Sequence, residues 1–235
     1  MFCTRRERSR ARGANPGHMT LGTIAGLWRY PVKSLKAEPL ERAAVLADGL
    51  EGDRTAALVV ETPAHARAGK PYRGKESSRL HLTADPATAA SYAADAGVMV
   101  TLGRDRPRWF DAGAVSVLFD LWVRDVEALA GEELDPLRWR PNLYVRAEPG
   151  FVRREPALVG TTLRAGEVVL RVVDTIGRCV TTTYDVATGE PFSLVLEAVA
   201  VQRNNVVGVY CEVITPGAVS VGDVLAEIRG ANGAP

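Results

Sequence analysis

The chain has 235 residues, 46% hydrophobic and 24% charged, with a formal net charge of +1. That length buries a full core in one large or two modest domains, and the composition is ordinary for a soluble globular protein. The near-neutral charge gives no basis for general nucleic-acid binding. No apolar run approaches bilayer thickness, so neither nucleic acid nor a membrane is expected as a partner.

Four arginines fall between positions 5 and 10, followed by Gly, Ala, Asn and Pro. Residues 1–19 are expected to be a disordered tail, with Met19 a candidate start. The tail has no apolar h-region, and Glu7 argues against a transit peptide, so a cytoplasmic location is expected. From Leu21 the pattern turns to short β-rich runs at 24–30, 43–47 and 55–60, broken by Pro, Gly and Asp. Residues 62–79 are polar and rich in Gly, Pro and basic groups and read as a loop. Residues 80–83 and 98–102 read as further strands. No strand–helix alternation is visible in this half, which predicts an all-β, barrel-like unit.

Val115, Leu118, Trp122, Val126 and Leu129 follow helical spacing, with Gly131 placed to cap the end. Strands are then expected at 143–146, 168–173, 179–183, 206–214 and 224–228, with a second helix at 192–202. Gly217 and Gly222-Asp223 mark turns. The expected division is a tail at 1–19, an N-terminal β-barrel-like domain at 20–110, a second domain at 111–230 and a short tail at 231–235. The fold class is β-rich α+β with a few helices.

The three cysteines, Cys3, Cys179 and Cys211, are odd in number, widely spaced and without a CxxC pair. A disulfide framework is not expected. His18, His65 and His81 are scattered and offer no zinc site. Cys211 alternates with Val207, Val209 and Val213, which places it in a core. Cys179 follows Arg178, and a cation beside a thiol favours the nucleophilic, metal-binding thiolate. By itself, a cysteine on an apolar strand is more often a small buried hydrophobe. Arg138 and Arg140 share one side if the segment is extended. Two guanidinium forks there suit a phosphate or pterin group, and surface ion pairing accounts for them equally well. Lys33 reads as a loop charge and Arg54 as a partner for Asp53.

Taken in order, Trp28-Arg-Tyr-Pro-Val-Lys-Ser34, Gly52-Asp-Arg54, Arg138-Trp-Arg-Pro-Asn142, Gly177-Arg-Cys179, Asp185-Val-Ala-Thr-Gly-Glu190 and Gly217-Ala-Val-Ser-Val-Gly-Asp223 form a specific set. Over residues 21–229 the chain resembles the MOSC domain preceded by its N-terminal β-barrel domain, a family that includes the mitochondrial amidoxime-reducing component and bacterial relatives. The resemblance implies a molybdenum cofactor held as molybdopterin, with Cys179 as catalytic residue and protein ligand to molybdenum. Its cofactor contacts fall on Lys33, Ser34, Arg54, Arg140 and Asn142, with Arg138, Arg178 and Thr182 in the same shell. The chain departs from the pattern at Gly150-Phe-Val-Arg-Arg-Glu-Pro156, where many relatives carry an acidic pair and a tryptophan, and at Gly177.

The implied function is an oxidoreductase that reduces N-hydroxylated small molecules. Flavin and nicotinamide fingerprints and a cysteine cluster are lacking. Electrons are therefore expected from a separate flavin or iron–sulfur reductase. Two alternatives stand beside this reading: a sulfur carrier using a Cys179 persulfide, and a non-catalytic molybdopterin-binding carrier.

Overall fold

The computed structural model describes residues 18–228. The tail expected at 231–235 and most of that expected at 1–19 lie outside the described residues. His18 and Met19 correct the tail boundary, because they pair with Ile228 and Glu227 and so open the first strand. The strands are β1 (His18–Arg29), β2 (Glu38–Pro39), β3 (Arg42–Leu46), β4 (Gly49–Leu50), β5 (Ala57–Val60) and β6 (Val100–Gly103). They continue with β7 (Val115–Phe119), β8 (Leu143–Ala147), β9 (Thr162–Ala165), β10 (Val168–Gly177), β11 (Val206–Thr215), β12 (Gly217–Ser220) and β13 (Val224–Ile228). The helices are α1 (Pro86–Asp95), α2 (Asp120–Ala130) and α3 (Ser193–Gln202).

A closed barrel of seven strands runs β1-β8-β7-β11-β10-β9-β13 and returns to β1. Closure leaves these strands no free edge. The N-terminal strand β1 is thus part of the barrel that the second half of the chain builds. Its register shifts between Thr20 and Gly22 and between Ile24 and Gly26, so it bends to reach β13 on one side and β8 on the other. Gly22 makes that approach possible: a Cβ there would sit 2.3 Å from the Arg146 carbonyl oxygen. A second link between the halves is β12, which pairs with β3 across Gly217–Val45 to Ser220–Arg42.

All barrel pairs are antiparallel except β7–β8, which is parallel from Val117–Leu143 to Phe119–Val145. A parallel pair needs a crossover, and α2 supplies it. The helix predicted from Val115 therefore begins only at Asp120. Val115–Phe119 is a fully buried strand, and a short apolar run of this kind reads equally as helix or strand. Asp120 in the first turn suits the helix dipole, and Gly131 ends the helix in the left-handed region at φ 76.

The expectation of an all-β first half fails at α1. Asp85 caps that helix by accepting from Ala87 N and Thr88 N at 3.2 and 2.9 Å, with Pro86 at its first position. Its buried face is only Ala89 and Ala93, too weak an apolar stripe to read as periodicity. Residues 80–82 form a 3-10 turn rather than the expected strand.

Two cores result. The larger fills the barrel and draws Leu21, Ile24, Leu27, Val45 and Leu50 from the first half into contact with Val117, Val145, Leu170, Val209 and Leu225. Cys211 is fully buried in it, and burial pushes its thiol up. The smaller joins Val32, Leu35, Leu58, Tyr72 and Leu80 to α1. Among the described residues no helix is long and apolar enough to cross a membrane.

Candidate functional site

The main cleft, of about 330 Å³, is lined by loops from both cores. From the first half come Lys33, Ser34, Arg54, Arg73 and Lys75; from the second come Arg138, Arg140, Arg178 and Cys179. Seven cations thus line the cleft against one carboxylate, Asp111.

The cationic wall is built by backbone that side-chain patterning does not reveal. Ser34, Arg54 and Arg140 all sit at positive φ, 71°, 48° and 52°. Left-handed backbone is uncommon for such residues and marks tightly determined positions. Arg54 is held because its own N–H donates to the Tyr30 carbonyl at 2.7 Å, while Tyr30 N donates to Asp53 Oδ1 at 2.7 Å. Arg140 follows a 3-10 turn, Pro136–Trp139, started by Asp135 accepting from Leu137 N at 2.8 Å. The segment is not extended, so period two does not bring Arg138 and Arg140 together; the turn does.

Tyr30 is the hub. The guanidinium carbons of Arg54 and Arg140 lie 4.7 and 4.1 Å from its ring centroid, a geometry that favours cations. Burial pushes its phenol up to about 12, so it stays neutral. Arg54 pairs with the fully buried Asp53. Arg140 donates to the Leu35 carbonyl at 2.8 Å, and burial pulls its guanidinium down to about 10.

Arg178 is spent on backbone. It donates to the Trp139 carbonyl at 2.8 Å and from Nε to the Val207 carbonyl at 2.7 Å. It therefore ties the loop after β10 to the 3-10 turn and to β11 rather than bonding the neighbouring thiol. Burial also pulls it down to about 10. Among the described residues neither Arg140 nor Arg178 has a carboxylate partner. Arg138 does: it donates to Thr183 O at 2.7 Å and Asp185 Oδ2 at 3.0 Å, and its Nε is buried without an acceptor.

Cys179 is not on a strand as expected. β10 stops at Gly177, and Cys179 leads into a 3-10 turn, Val180–Thr183. The threonine run causes this. Thr182 Oγ1 donates back to the Cys179 carbonyl at 2.9 Å and Thr183 Oγ1 to the Val180 carbonyl at 2.7 Å, replacing ladder bonds. The thiol is consequently exposed, with Sγ 3.1 Å from Thr181 Oγ1.

Lys33, Ser34, Arg54, Arg138, Arg140, Arg178, Cys179 and Thr182 all line the cleft; Asn142 does not. Its amide is consumed inside the fold. Oδ1 accepts from Ser116 N and Oγ, both at 3.0 Å, and Nδ2 donates to the Trp28 carbonyl at 3.1 Å. Asn142 therefore secures the wall from behind, where its Oδ1 also lies 3.5 Å from Arg54 Nη1. The sequence reading missed Arg73, Lys75, His81, Tyr184 and Tyr210, which also line the cleft. Only the basic character of the 62–79 loop hinted at the first two. His81 Nε2 lies 2.8 Å from the Asp185 carbonyl, the ring stacks on Tyr184, and burial holds it below the usual imidazole range.

Fold and cleft together define a closed β-barrel protein with a basic, thiol-bearing cleft. The family model described as MOSC N-terminal beta barrel domain matches residues 21–103, and that described as MOSC domain matches 110–226. The chain belongs to the MOSC family. Among solved structures it is similar to the YuaD protein from Bacillus subtilis, at 16% identity and TM-score 0.54, covering 90% of this chain and 98% of that one. YiiM from Escherichia coli matches at 15% identity and TM-score 0.45, covering 92% of this chain and 73% of that one. A search of curated proteins returned no match.

Proposed function

We propose that the cleft binds the molybdenum cofactor as molybdopterin and that the chain is an oxidoreductase acting on N-hydroxylated small molecules. One observation carries this reading: an exposed Cys179 thiol on a cleft where seven cations face a single carboxylate. The residues present fit such a group. Arg140 and Arg178 are cations depressed by burial, and a phosphate-bearing anion relieves that cost. No group of three His, Cys, Asp or Glu side chains able to hold a metal occurs among the described residues. A metal here would bring its own ligands and take Cys179 as the protein's soft donor.

In this reading Lys33, Ser34, Arg54 and Arg140 hold the phosphate and pterin, while Arg138, Arg178 and Thr182 fix the loop that presents Cys179. The bound cofactor supplies two-electron redox chemistry; the chain supplies binding, orientation and charge. Converting an N–OH group to N–H and water consumes two electrons and two protons. The electrons come from a separate flavin or iron–sulfur reductase.

Molybdenum and phosphorus analysis of the chain made in a molybdenum-replete host tests the cofactor assignment. Near-stoichiometric amounts of both are expected, and their absence contradicts it. Turnover of an amidoxime with a chemical reductant then separates enzyme from cofactor carrier. The exposure of Cys179 also suits a persulfide carrier, which mass spectrometry of the intact chain detects as one added sulfur atom.

A further inference from the structure

A second cavity, of about 290 Å³, opens beside the first and shares Lys33, Arg73 and Asp111 with it. It adds Arg67, Arg106 and Arg108, with Trp109 and Phe110 on its apolar side. Its cations are incompletely neutralised. Glu76 serves both Arg67 and Arg73, at 3.2 and 3.3 Å. Asp48 holds Arg108 at 2.9 Å, and Asp111 holds Lys33. Arg106 has no carboxylate among the described residues; its guanidinium carbon lies 4.7 Å from the Trp109 ring centroid. Five cations therefore meet three carboxylates, an excess of two positive charges.

Two further features point the same way. Arg73 Nε and Trp109 Nε1 are buried donors without an acceptor, both on lining residues. Buried donors are rarely left unmade in a finished site. The Lys33–Asp111 pair is also lopsided: the lysine side chain is 11% exposed and the aspartate 73%. A carboxylate that reaches in from solvent is readily displaced by a better-placed anion.

We propose that this cavity is a second phosphate-binding subsite, in which the Asp111 carboxylate occupies the Lys33 ammonium until a phosphate oxygen replaces it. The charge excess matches a phosphate dianion, and arginine forks suit its oxygens better than those of a monovalent anion. Lys33, Arg73 and Asp111 are shared with the first cleft, whereas Arg67, Arg106 and Arg108 line this cavity alone, so dependence on Arg106 distinguishes its phosphate from an anion held in the first cleft.

Calorimetric titration of the full chain in phosphate-free buffer tests it, with inorganic phosphate and glycerol 3-phosphate as probes. One phosphate site should depend on Arg106 and not on Arg140. Arg106 is exposed, so Arg106→Gln should fold normally and weaken that site about tenfold, the loss of a charge-assisted contact. Arg140→Gln should leave it intact. Asp111→Asn should tighten it roughly fivefold, the equivalent of one exposed ion pair. Tighter binding of glycerol 3-phosphate assigns the subsite to phosphate carried on an organic ligand, and tighter binding of inorganic phosphate assigns it to the free anion. Phosphate binding insensitive to Arg106→Gln, or weakened by Asp111→Asn, overturns the proposal.

Discussion

The Tyr30 hydroxyl donates to the Pro141 carbonyl oxygen at 3.1 Å, across 111 positions of the chain. This single bond joins the loop that follows β1 to the turn that carries Arg140, and so ties the two halves of the cationic wall.

Tyr30→Phe removes that bond and leaves a buried carbonyl unpaired. It should lower unfolding free energy by about 1–2 kcal/mol in chemical denaturation. Anion affinity of the cleft should weaken as well: the ring under Arg54 and Arg140 is kept, but the turn that carries Arg140 loses its tie to the Tyr30 loop. Unchanged affinity alongside the stability loss would show that the arginines hold their places without the hydroxyl.

Asn142→Ala should act on the fold first. It strands the Ser116 donors and the Trp28 carbonyl inside the protein. The expected cost is on the order of 3 kcal/mol, read as a drop in denaturation midpoint at constant slope. Arg140→Gln, which spares these bonds and gives up the one to the Leu35 carbonyl, should weaken anion binding at a smaller stability cost of about 1 kcal/mol.

The segment 150–156 contributes to a buried ion pair. Glu155 Oε1 lies 2.5 Å from Arg203 Nη2, and Asp125 Oδ2 lies 2.7 Å from Arg203 Nη1. Arg203→Met leaves Glu155 charged and unpaired and should cost about 3–5 kcal/mol. The double variant Arg203→Met, Glu155→Leu should recover much of that loss, and a double-mutant cycle in urea measures it. No recovery would mean the pair is not the determinant of this corner.

His81 sets an acid limit on stability. Burial lowers its folded pKa, so below the ordinary value of about 6.5 the unfolded chain binds its proton more readily than the folded one. Stability should therefore fall as pH drops through that value and level off below the folded pKa. His81→Gln should flatten this part of the pH profile of the melting temperature. An unchanged slope would assign it to other groups.

Barrel strands were legible where apolar alternation or β-branched runs ran long, as at 168–173 and 206–214, both inside observed strands. What stayed hidden depended on non-periodic signals. The α1 stripe of two alanines carries too little hydrophobic contrast to read. The Thr181–Thr183 run looks β-prone, yet its hydroxyls fold the backbone into a turn and expose Cys179. Ser34, Arg54, Arg140 and Cys179 were legible as an ordered set, and the structure brings them to one cleft. Tyr30 was hidden because its role comes from long-range contacts. The structural bonds of Asn142 were hidden because its partners lie in β1 and β7.

X-ray absorption at the molybdenum edge, on wild type and Cys179→Ala loaded side by side, tests the central claim most directly. The account predicts one more sulfur neighbour of molybdenum in wild type than in Cys179→Ala, with amidoxime reduction lost in the variant and its stability nearly unchanged, since an exposed small side chain leaves little void. An identical sulfur count in the two proteins, with persulfide on Cys179 in the mass spectrum, would contradict it and favour sulfur transfer.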